Sequence, residues 1–233
     1  MTHSLKEQNI WLNIDKPAGY SSAKVVAIVK SITKAKKVGH GGTLDPFATG
    51  VLPIALNKAT KTSQMMMDAP KKYLFYIKWG EFRDSDDIEG NVTEKSDKVP
   101  NNNQLFCSCL SFIGKIEQTP SKFSAIKING KRAYDLVRKK IDFEMPKREV
   151  NIFNLDILKN SFDGALIKVK CSKGTYVRSL ARDICLKNNV CGYVSYLRRL
   201  EVGKFNADNI ISLDLLKYGI TTQLDDFRSV DPF

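Results

Sequence analysis

The sequence is 233 residues long, with a net charge of +12, 42% hydrophobic residues and 27% charged residues. This composition is typical of a globular chain, and no apolar run approaches the roughly 20 residues that a membrane-spanning helix needs. We therefore expect a soluble protein with one domain over residues 1–233, and neither a membrane protein nor a disordered chain. Residues 1–9 have the character of neither a secretion signal nor a transit peptide, so the default expectation is a cytoplasmic location.

The positive charge is concentrated in two stretches of the chain. Residues 115–150 hold 10 basic and 5 acidic side chains, and residues 168–204 hold 9 and 2. Such clustering is typical of a protein that binds a polyanion, because each phosphate that is neutralised releases counterions. On charge alone, a well-solvated basic surface explains the pattern equally well.

The first half of the sequence predicts a strand, a helix, a long loop and a second strand. Residues 10–14 predict the first strand, and Ser21 or Ser22 is placed to cap a helix whose apolar residues recur at spacings of 3, 4 and 7. Residues 39–53 contain four glycines and two prolines, so they are expected to be mostly loop. Residues 73–79 carry aromatic and aliphatic side chains at successive positions, as in a strand that is buried on both faces.

The second half alternates strands and helices around a polar insertion. Residues 115–150 have few apolar side chains, a hairpin signal at Asn129-Gly130 and a short helical piece near residues 134–140. A segment this polar within a globular chain is expected to protrude. The other predicted elements are a helix from Asn103 to Ile113, a strand over 165–171, a helix capped by Thr175, a strand over 193–197 and a last short helix over 212–218.

No metal site is expected from the ligand-bearing residues. The five cysteines form no C-x-x-C pair, and the chain has only two histidines. The acidic run from Asp84 to Asp87 lacks the ordered spacing of a cation-binding loop, so an exposed, solvated turn is preferred there to a magnesium site.

Several common catalytic motifs are absent from the sequence. It has no G-x-x-x-x-G-K-[ST], no G-x-G-x-x-G and no G-x-S-x-G, so nucleotide cradles with these signatures and a serine nucleophile elbow are excluded. What remains is Asp45, in a glycine-rich loop five residues after His40. An isolated aspartate before proline is usually a turn residue that caps its own backbone.

The sequence around Asp45 closely resembles the catalytic motif of the tRNA pseudouridine synthase B family, over Gly39 to Pro53. Further matches occur in the same order, and the resemblance covers about residues 10–215. These matches are Leu12 to Pro17, Ala59 to Lys61, Lys72 and Tyr73, Ser172 to Arg178, and Tyr196 to Leu200.

The resemblance implies an α+β pseudouridine synthase fold, with a mixed, largely antiparallel sheet flanked by helices and loops. It also implies an isomerase that converts uridine 55 in the T-loop of tRNA to pseudouridine without a cofactor. Asp45 then corresponds to the catalytic nucleophile. Arg178 corresponds to its basic partner, whose charge favours the ionised carboxylate. Tyr73 corresponds to the tyrosine that stacks on the target base and helps to remove the C5 proton.

The same resemblance implies residues that hold the RNA. His40 corresponds to the residue that fills the space vacated by the extruded uridine. Tyr176 and Leu200 correspond to the walls of the base site, and Lys16 is expected to support the loop or to contact a phosphate. The insertion over 115–150 corresponds to the RNA-gripping arm, and the expected phosphate contacts are Lys61, Lys122, Lys127, Lys131, Arg132 and Arg138.

Two other functions fit the same residues, and the chain departs from the family pattern in one respect. A guide-RNA-dependent pseudouridine synthase would share the catalytic residues, and a non-catalytic RNA-binding or tRNA-folding protein would share the charge pattern. Many members of the family continue into a small C-terminal RNA-binding barrel of the PUA type, which is expected to be absent from a chain that stops at residue 233. A monomer acting on the T-arm without an obligate protein partner is expected.

Overall fold

The computed structural model describes residues 5–219. The strands in that range are β1 (Trp11–Lys16), β2 (Val38–His40), β3 (Thr49–Leu56), β4 (Lys71–Trp79), β5 (Glu81–Arg83), β6 (Val92–Lys95), β7 (Gly114–Gln118), β8 (Lys127–Ile128), β9 (Lys131–Arg132), β10 (Arg148–Asn160), β11 (Gly164–Cys171), β12 (Gly192–Val202) and β13 (Phe205–Asn206). The α-helices are α1 (Ser22–Thr33), α2 (Ser63–Asp68), α3 (Asn102–Ser111), α4 (Ala133–Arg138), α5 (Val177–Lys187) and α6 (Leu213–Lys217). Short 3-10 helices occupy Leu5–Glu7, Asn57–Thr62 and Ala207–Asn209.

The chain forms two compact units. Among the described residues, the first unit contains residues 5–72 together with 198–219, and the second is Tyr73–Leu197. The boundaries fall within β4 and β12. Within residues 5–219, no helix has the length and apolar character needed to cross a membrane. The mixed, largely antiparallel sheet and flanking helices confirm the α+β class predicted from the sequence.

The sheet of the first unit is built on β3. Strands β1 and β2 both pair antiparallel with β3, whereas the end of β12 pairs parallel with it through Arg198 and Arg199. One face is covered by α1 and α6, around a core that includes Ile14, Val25 and Ile54. The other face packs around a second apolar cluster, which consists of Trp11, Val51, Ala55, Val202 and Phe205.

Helix α1 begins where the sequence predicted. Ser21, rather than Ser22, is the N-cap, and its side chain accepts a hydrogen bond from the backbone N–H of Lys24 at 3.1 Å. The predicted apolar stripe is confirmed, since Val25 and Val29 are fully buried. The helix ends at Lys34, whose left-handed backbone (φ 56°) directs its N–H to the carbonyl of Lys30.

The prediction of a loop over most of residues 39–53 was confirmed only in part. Strand β2 extends to His40 and β3 starts at Thr49, so the loop is limited to residues 41–48. Gly50 lies in β3 because glycine allows the backbone of β12 to approach closely. A Cβ at this position would lie 2.2 Å from the carbonyl oxygen of Arg199, and the φ of Gly50 is +102°. Burial of residues 51–56 between two apolar clusters outweighed the local turn signals.

The sheet of the second unit has the strand order β12, β4, β11, β10, β7. Strand β10 pairs antiparallel with both β11 and β7. The predicted strand over residues 73–79 is present, but only one of its faces is fully buried, through Tyr73, Phe75, Ile77 and Trp79. Lys78 on the other face is exposed, so the prediction of burial on both faces was wrong.

The insertion has the local structure that its sequence predicted. Strands β8 and β9 form a hairpin in which Lys127 faces Arg132 and Ile128 faces Lys131. The turn is Asn129-Gly130, with φ values of +48° and +81°. Helix α4 follows directly, with Ala133 and Leu136 buried.

Candidate active site

The loop of residues 41–48 presents Asp45 in the first unit. Asp45 is half-buried, between the exposed residues Thr43 and Pro46. The side chain of Ser22 anchors the loop. Its Oγ accepts a hydrogen bond from the N–H of Leu44 at 2.9 Å and donates one to the Leu44 carbonyl at 3.2 Å. Asp45 is thus carried on a segment whose neighbours are anchored in buried structure.

Lys16 supports the loop on its C-terminal side. Its side chain is fully buried. The ammonium group donates to the carbonyls of Pro17 at 2.9 Å, Tyr20 at 2.6 Å and Pro46 at 2.9 Å. Of the two roles expected from the sequence, the structure favours support of the loop, and the burial of Lys16 contradicts a direct phosphate contact.

His40 lies at the end of β2, directly before the loop. It is half-buried, and its Nδ1 accepts from the backbone N–H of Gly42 at 3.3 Å. Burial and the positive charge of Arg199 hold the pKa of His40 below its ordinary value. The imidazole is therefore neutral at pH 7, with its proton assigned to Nε2 because Nδ1 accepts.

The two other predicted residues of the first unit, Leu200 and Lys61, differ in their exposure to solvent. Leu200 is half-buried on β12, next to the buried Arg199. Lys61 is exposed in the 3-10 helix Asn57–Thr62. The structure thus leaves Lys61 accessible to a phosphate, and it offers Leu200 only a partly accessible side chain.

In the second unit, the start of α5 brings together two of the predicted residues. Tyr176 is the N-cap residue of α5, and Arg178 lies in the first turn. The fully buried Gln118 fixes Tyr176 by its backbone: the amide accepts from the Tyr176 N–H at 2.8 Å and donates to its carbonyl at 3.1 Å. The guanidinium of Arg148 lies over the ring of Tyr176 at 5.4 Å. Tyr73 is buried at the beginning of the unit, with 8% of its surface exposed.

Arg178 is buried and held by the acidic run that follows β5. Its Nη1 lies 2.9 Å from Asp87 Oδ2 and donates to the Ser85 carbonyl at 2.9 Å, and its Nη2 donates to the Phe123 carbonyl at 3.1 Å. The prediction that residues 84–87 form an exposed turn was wrong. Only Asp84 is exposed, whereas Ser85, Asp86 and Asp87 are buried.

Asp86 forms a second ion pair, with Arg182, which lies one turn after Arg178 on α5. Its Oδ2 lies 2.9 Å from Nη1 of Arg182, whose Nη2 donates to the Thr119 carbonyl at 2.7 Å. Burial raises the pKa of Asp86 to about 6, against the opposing charges of Arg182 and Arg178. Both arginines therefore tie α5 to the residues from which the insertion starts.

Sequence reasoning missed Asp87, Gln118 and Arg199 as parts of the site. The sequence contained one signal for Asp87. Arg178 and Arg182 are four residues apart, so they lie on the same face of α5, among apolar residues of that helix. Two arginines so placed require carboxylates, and the adjacent Asp86 and Asp87 supply them. Gln118 and Arg199 bond to backbone atoms far away in the chain. No local pattern marks Gln118, whereas Arg199 lies in the matched stretch Tyr196 to Leu200, which does not reveal its partners.

The predicted cations of the insertion remain accessible. Lys122, Lys127, Lys131, Arg132 and Arg138 are all exposed. Lys122 lies 3.3 Å from Asp142, and the ring of Tyr134 is flanked by Arg132 and Arg138 at 5.8 and 5.5 Å. The insertion therefore presents positive charge from its hairpin, its helix and its base.

The match of most of the chain to a family model defines the class of protein, a pseudouridylate synthase. The family model described as "TruB family pseudouridylate synthase (N terminal domain)" matches residues 30–177. This chain belongs to the TruB family.

Curated relatives extend the match over most of the chain. "tRNA pseudouridine synthase B" of Ehrlichia chaffeensis is 46% identical over 212 residues, which is 89% of this chain and 71% of the relative. The protein of the same name from Rhizobium johnstonii is 47% identical over 218 residues, 93% of this chain and 70% of the relative.

Solved structures share the fold. A chain from a Cbf5-Nop10-Gar1 complex is 30% identical with a TM-score of 0.71, and the match covers 95% of this chain. A chain from an H/ACA RNP bound to a substrate RNA containing 2′-deoxyuridine is 28% identical with a TM-score of 0.69, and the match covers 94% of this chain. The present chain spans 59% and 56% of those two chains, little more than half of each.

Proposed function

We propose that this chain is a tRNA pseudouridine synthase that converts uridine 55 of the T-loop to pseudouridine, with Asp45 as the nucleophile and without a cofactor. The observation that carries the proposal is the loop of residues 41–48, which holds Asp45 partly exposed on buried polar supports. The curated relatives named as tRNA pseudouridine synthases support the choice of tRNA as substrate.

The proposed reaction is an isomerisation, so no atom is gained or lost overall. The bond between N1 of uracil and C1′ of the ribose breaks, the uracil rotates while it is held, and C5 forms a new bond to C1′. The ionised carboxylate of Asp45 acts on the sugar or the base. Tyr73 stacks on the base and assists the departure of the C5 proton. Arg178 is assigned the role that the resemblance implies, a fixed positive charge that favours the ionised carboxylate.

Access to a uridine inside a folded loop requires its extrusion from the stack, at a cost of a few kcal/mol. We assign to His40 the role of filling the vacated space. Its neutral, half-buried ring suits a stacking role, because a charged imidazolium would be costly to place between bases. Tyr176 and Leu200 are assigned to the walls of the base site.

The exposed cations supply the grip on the RNA backbone. Lys61, Lys122, Lys127, Lys131, Arg132 and Arg138 are proposed phosphate contacts along the T-arm. Residues 1–233 are proposed to form a single catalytic domain, in which residues 115–150 are the RNA-gripping insertion. We also propose a monomer that acts without a protein partner in the cytoplasm, where its proposed substrate occurs.

A guide-RNA-dependent synthase remains the second candidate, because the similar solved chains come from Cbf5 complexes and an H/ACA RNP. The identity to those chains is 28–30%, against 46–47% to the curated tRNA pseudouridine synthases. The higher identity favours action on tRNA without a guide.

The test is the purified chain acting on unmodified tRNA whose uridines carry tritium at C5. We expect release of tritium from one position, and none from a tRNA in which uridine 55 is replaced by cytidine. Asp45→Asn should abolish release while the Kd for tRNA stays within about tenfold, because the substitution removes the nucleophile and preserves the shape. Turnover by pure Asp45→Asn, or activity that requires an added guide RNA, would contradict the proposal.

A further inference from the structure

Arg199 is an arginine in the interior of the first unit. Only 1% of its surface is exposed, and among residues 5–219 it ranks with Lys16 among the largest side chains that are fully buried. A buried guanidinium is costly unless all of its surroundings compensate the charge. The position therefore needs a reason beyond packing.

The side chain donates to three backbone carbonyls. Nε donates to Val51 at 2.7 Å, Nη1 to Thr43 at 3.2 Å and Nη2 to Gly42 at 3.0 Å. Two of these acceptors belong to the loop of residues 41–48, and they lie two and three residues before Asp45. Charged donors form stronger hydrogen bonds than neutral ones. The planar guanidinium of Arg199, with its three donating nitrogens, is called the fork below, and it fixes the loop on its N-terminal side.

The geometry of the sheet places the fork under the loop. Arg198 and Arg199 pair parallel with Thr49 and Gly50, and the backbones approach so closely at this point that only glycine fits at position 50. Strand β3 leaves the loop at Thr49, so Arg199 sits directly beside the point where the loop ends and reaches back to its beginning.

Lys16 and Arg199 hold opposite ends of the same loop. Lys16 binds the carbonyl of Pro46, one residue after Asp45, and Arg199 binds the carbonyls of Gly42 and Thr43. Asp45 is thus flanked on both sides by carbonyls that a buried cation fixes.

We propose that Arg199 is a positioning residue, which fixes the loop of residues 41–48 in the conformation that presents Asp45 to the uridine. It acts through the backbone of Gly42 and Thr43 and needs no contact with the RNA. Burial is the larger cause of the lowered pKa of His40, and the charge of Arg199 adds to it. The inference rests on the proposed function for its activity readout only.

Three variants separate the geometry of the fork from its charge. Arg199→Met removes both, Arg199→Lys keeps the charge but replaces the planar fork by a single point donor, and Arg198→Met is the matched control. Arg198 is the preceding residue on β12, and it pairs with Asp15 at 3.1 Å on a half-buried part of the surface.

The first measurement is the single-turnover rate and the Kd for a T-arm hairpin. We expect the rate to fall at least a hundredfold in Arg199→Met and at least tenfold in Arg199→Lys, with Kd within about fivefold of the wild type. Arg198→Met should stay within about threefold in both quantities. Should Arg199→Met fail to fold, as judged by circular dichroism, Arg199→Lys carries the test.

The second measurement does not depend on activity. Backbone ¹⁵N order parameters of residues 42–45 should fall from the range of rigid structure, about 0.85, toward that of flexible structure, below about 0.6, in both Arg199 variants and not in Arg198→Met. In a His3→Gln background His40 is the remaining histidine, and its pKa should rise in Arg199→Met but stay low in Arg199→Lys.

The outcomes distinguish this inference from the proposed function. A wild type inactive on tRNA would refute the proposed function, and the order parameters would then decide the role of Arg199. Folded Arg199→Met and Arg199→Lys variants with rates within threefold of the wild type, or with unchanged order in residues 42–45, would overturn the inference.

Discussion

Arg178 and Asp87 form a buried ion pair, in which Nη1 and Oδ2 are 2.9 Å apart and the side chains are 3% and 4% exposed. Asp87 is itself fixed, since its Oδ1 accepts from the Ser85 hydroxyl at 2.6 Å and from the N–H of Glu89 at 2.9 Å. The position of a proposed catalytic-site arginine is therefore determined by a short acidic loop elsewhere in the chain.

Removal of the carboxylate should cost stability, because it takes away an ionic partner that lies 2.9 Å from the buried guanidinium of Arg178. We expect Asp87→Ala to lower the free energy of unfolding by about 3 to 5 kcal/mol, measured by urea denaturation. Asp84→Ala, at an exposed residue of the same loop, is the control and should cost only about 1 kcal/mol, through loss of the two exposed hydrogen bonds that the carboxylate accepts from Asn91. Equal losses in the two variants would contradict the assignment.

The pH dependence of stability should carry the signature of Asp86. Its folded-state pKa of about 6 lies above the ordinary value of 3.8, so the folded state binds the proton more tightly than the unfolded state. The contribution of Asp86 is therefore fully present below about pH 4 and is lost as the pH rises through 6, by on the order of 3 kcal/mol.

The difference in unfolding free energy between the wild type and Asp86→Asn isolates this effect. Titration of the wild-type carboxyl should reduce that difference between pH 4 and pH 7, since asparagine does not titrate. Arg182, Arg178 and Asp183 also act on Asp86, and they are present in both proteins. A difference that stays constant over this range would show that the carboxyl titrates normally.

The cations of the insertion should control the salt dependence of RNA binding. Joint replacement of Lys127 and Lys131 by glutamine should reduce the slope of log K against log salt by about 2, because each lost phosphate contact removes about one unit. The matched control replaces Lys30 and Lys34, which are exposed at the end of α1. Similar changes in both double variants would mean that the insertion has no special role.

Metal removal should leave the reaction unaffected. The proposed isomerisation uses a carboxylate and a phenol, and neither needs a Lewis acid. The measurement is the rate on a T-arm hairpin with and without EDTA, since a short hairpin keeps its fold without divalent ions. A rate that collapses with EDTA and recovers only with a transition metal would refute the cofactor-free reaction.

Local signals in the sequence predicted local structure well. The Ser21 cap, the apolar stripe of α1 and the Asn129-Gly130 turn each depend on residues within a few positions of one another. Asp45 was found for a different reason, since its whole surrounding motif resembles a known family.

Features that depend on distant contacts were not predictable. Strand β10 runs for 13 residues with two register shifts, so its apolar residues do not alternate and no strand was predicted there. The acidic run was expected in solvent because carboxylates are usually exposed, and its burial depends on arginines about 90 residues further along the chain. Residues 49–53 look like a loop until the partner strand that requires Gly50 is known.

The bond between Arg199 and Gly42 also sets an order of events during synthesis. The two residues are 157 positions apart, and a ribosome adds roughly 5 to 20 residues per second. For about 8 to 30 s after Gly42 is made, the guanidinium of Arg199 that binds the carbonyls of Gly42 and Thr43 has not yet been synthesised. The ribosome thus completes residues 115–150, the proposed RNA-gripping insertion, before the segment bearing Asp45 acquires its contacts with Arg199.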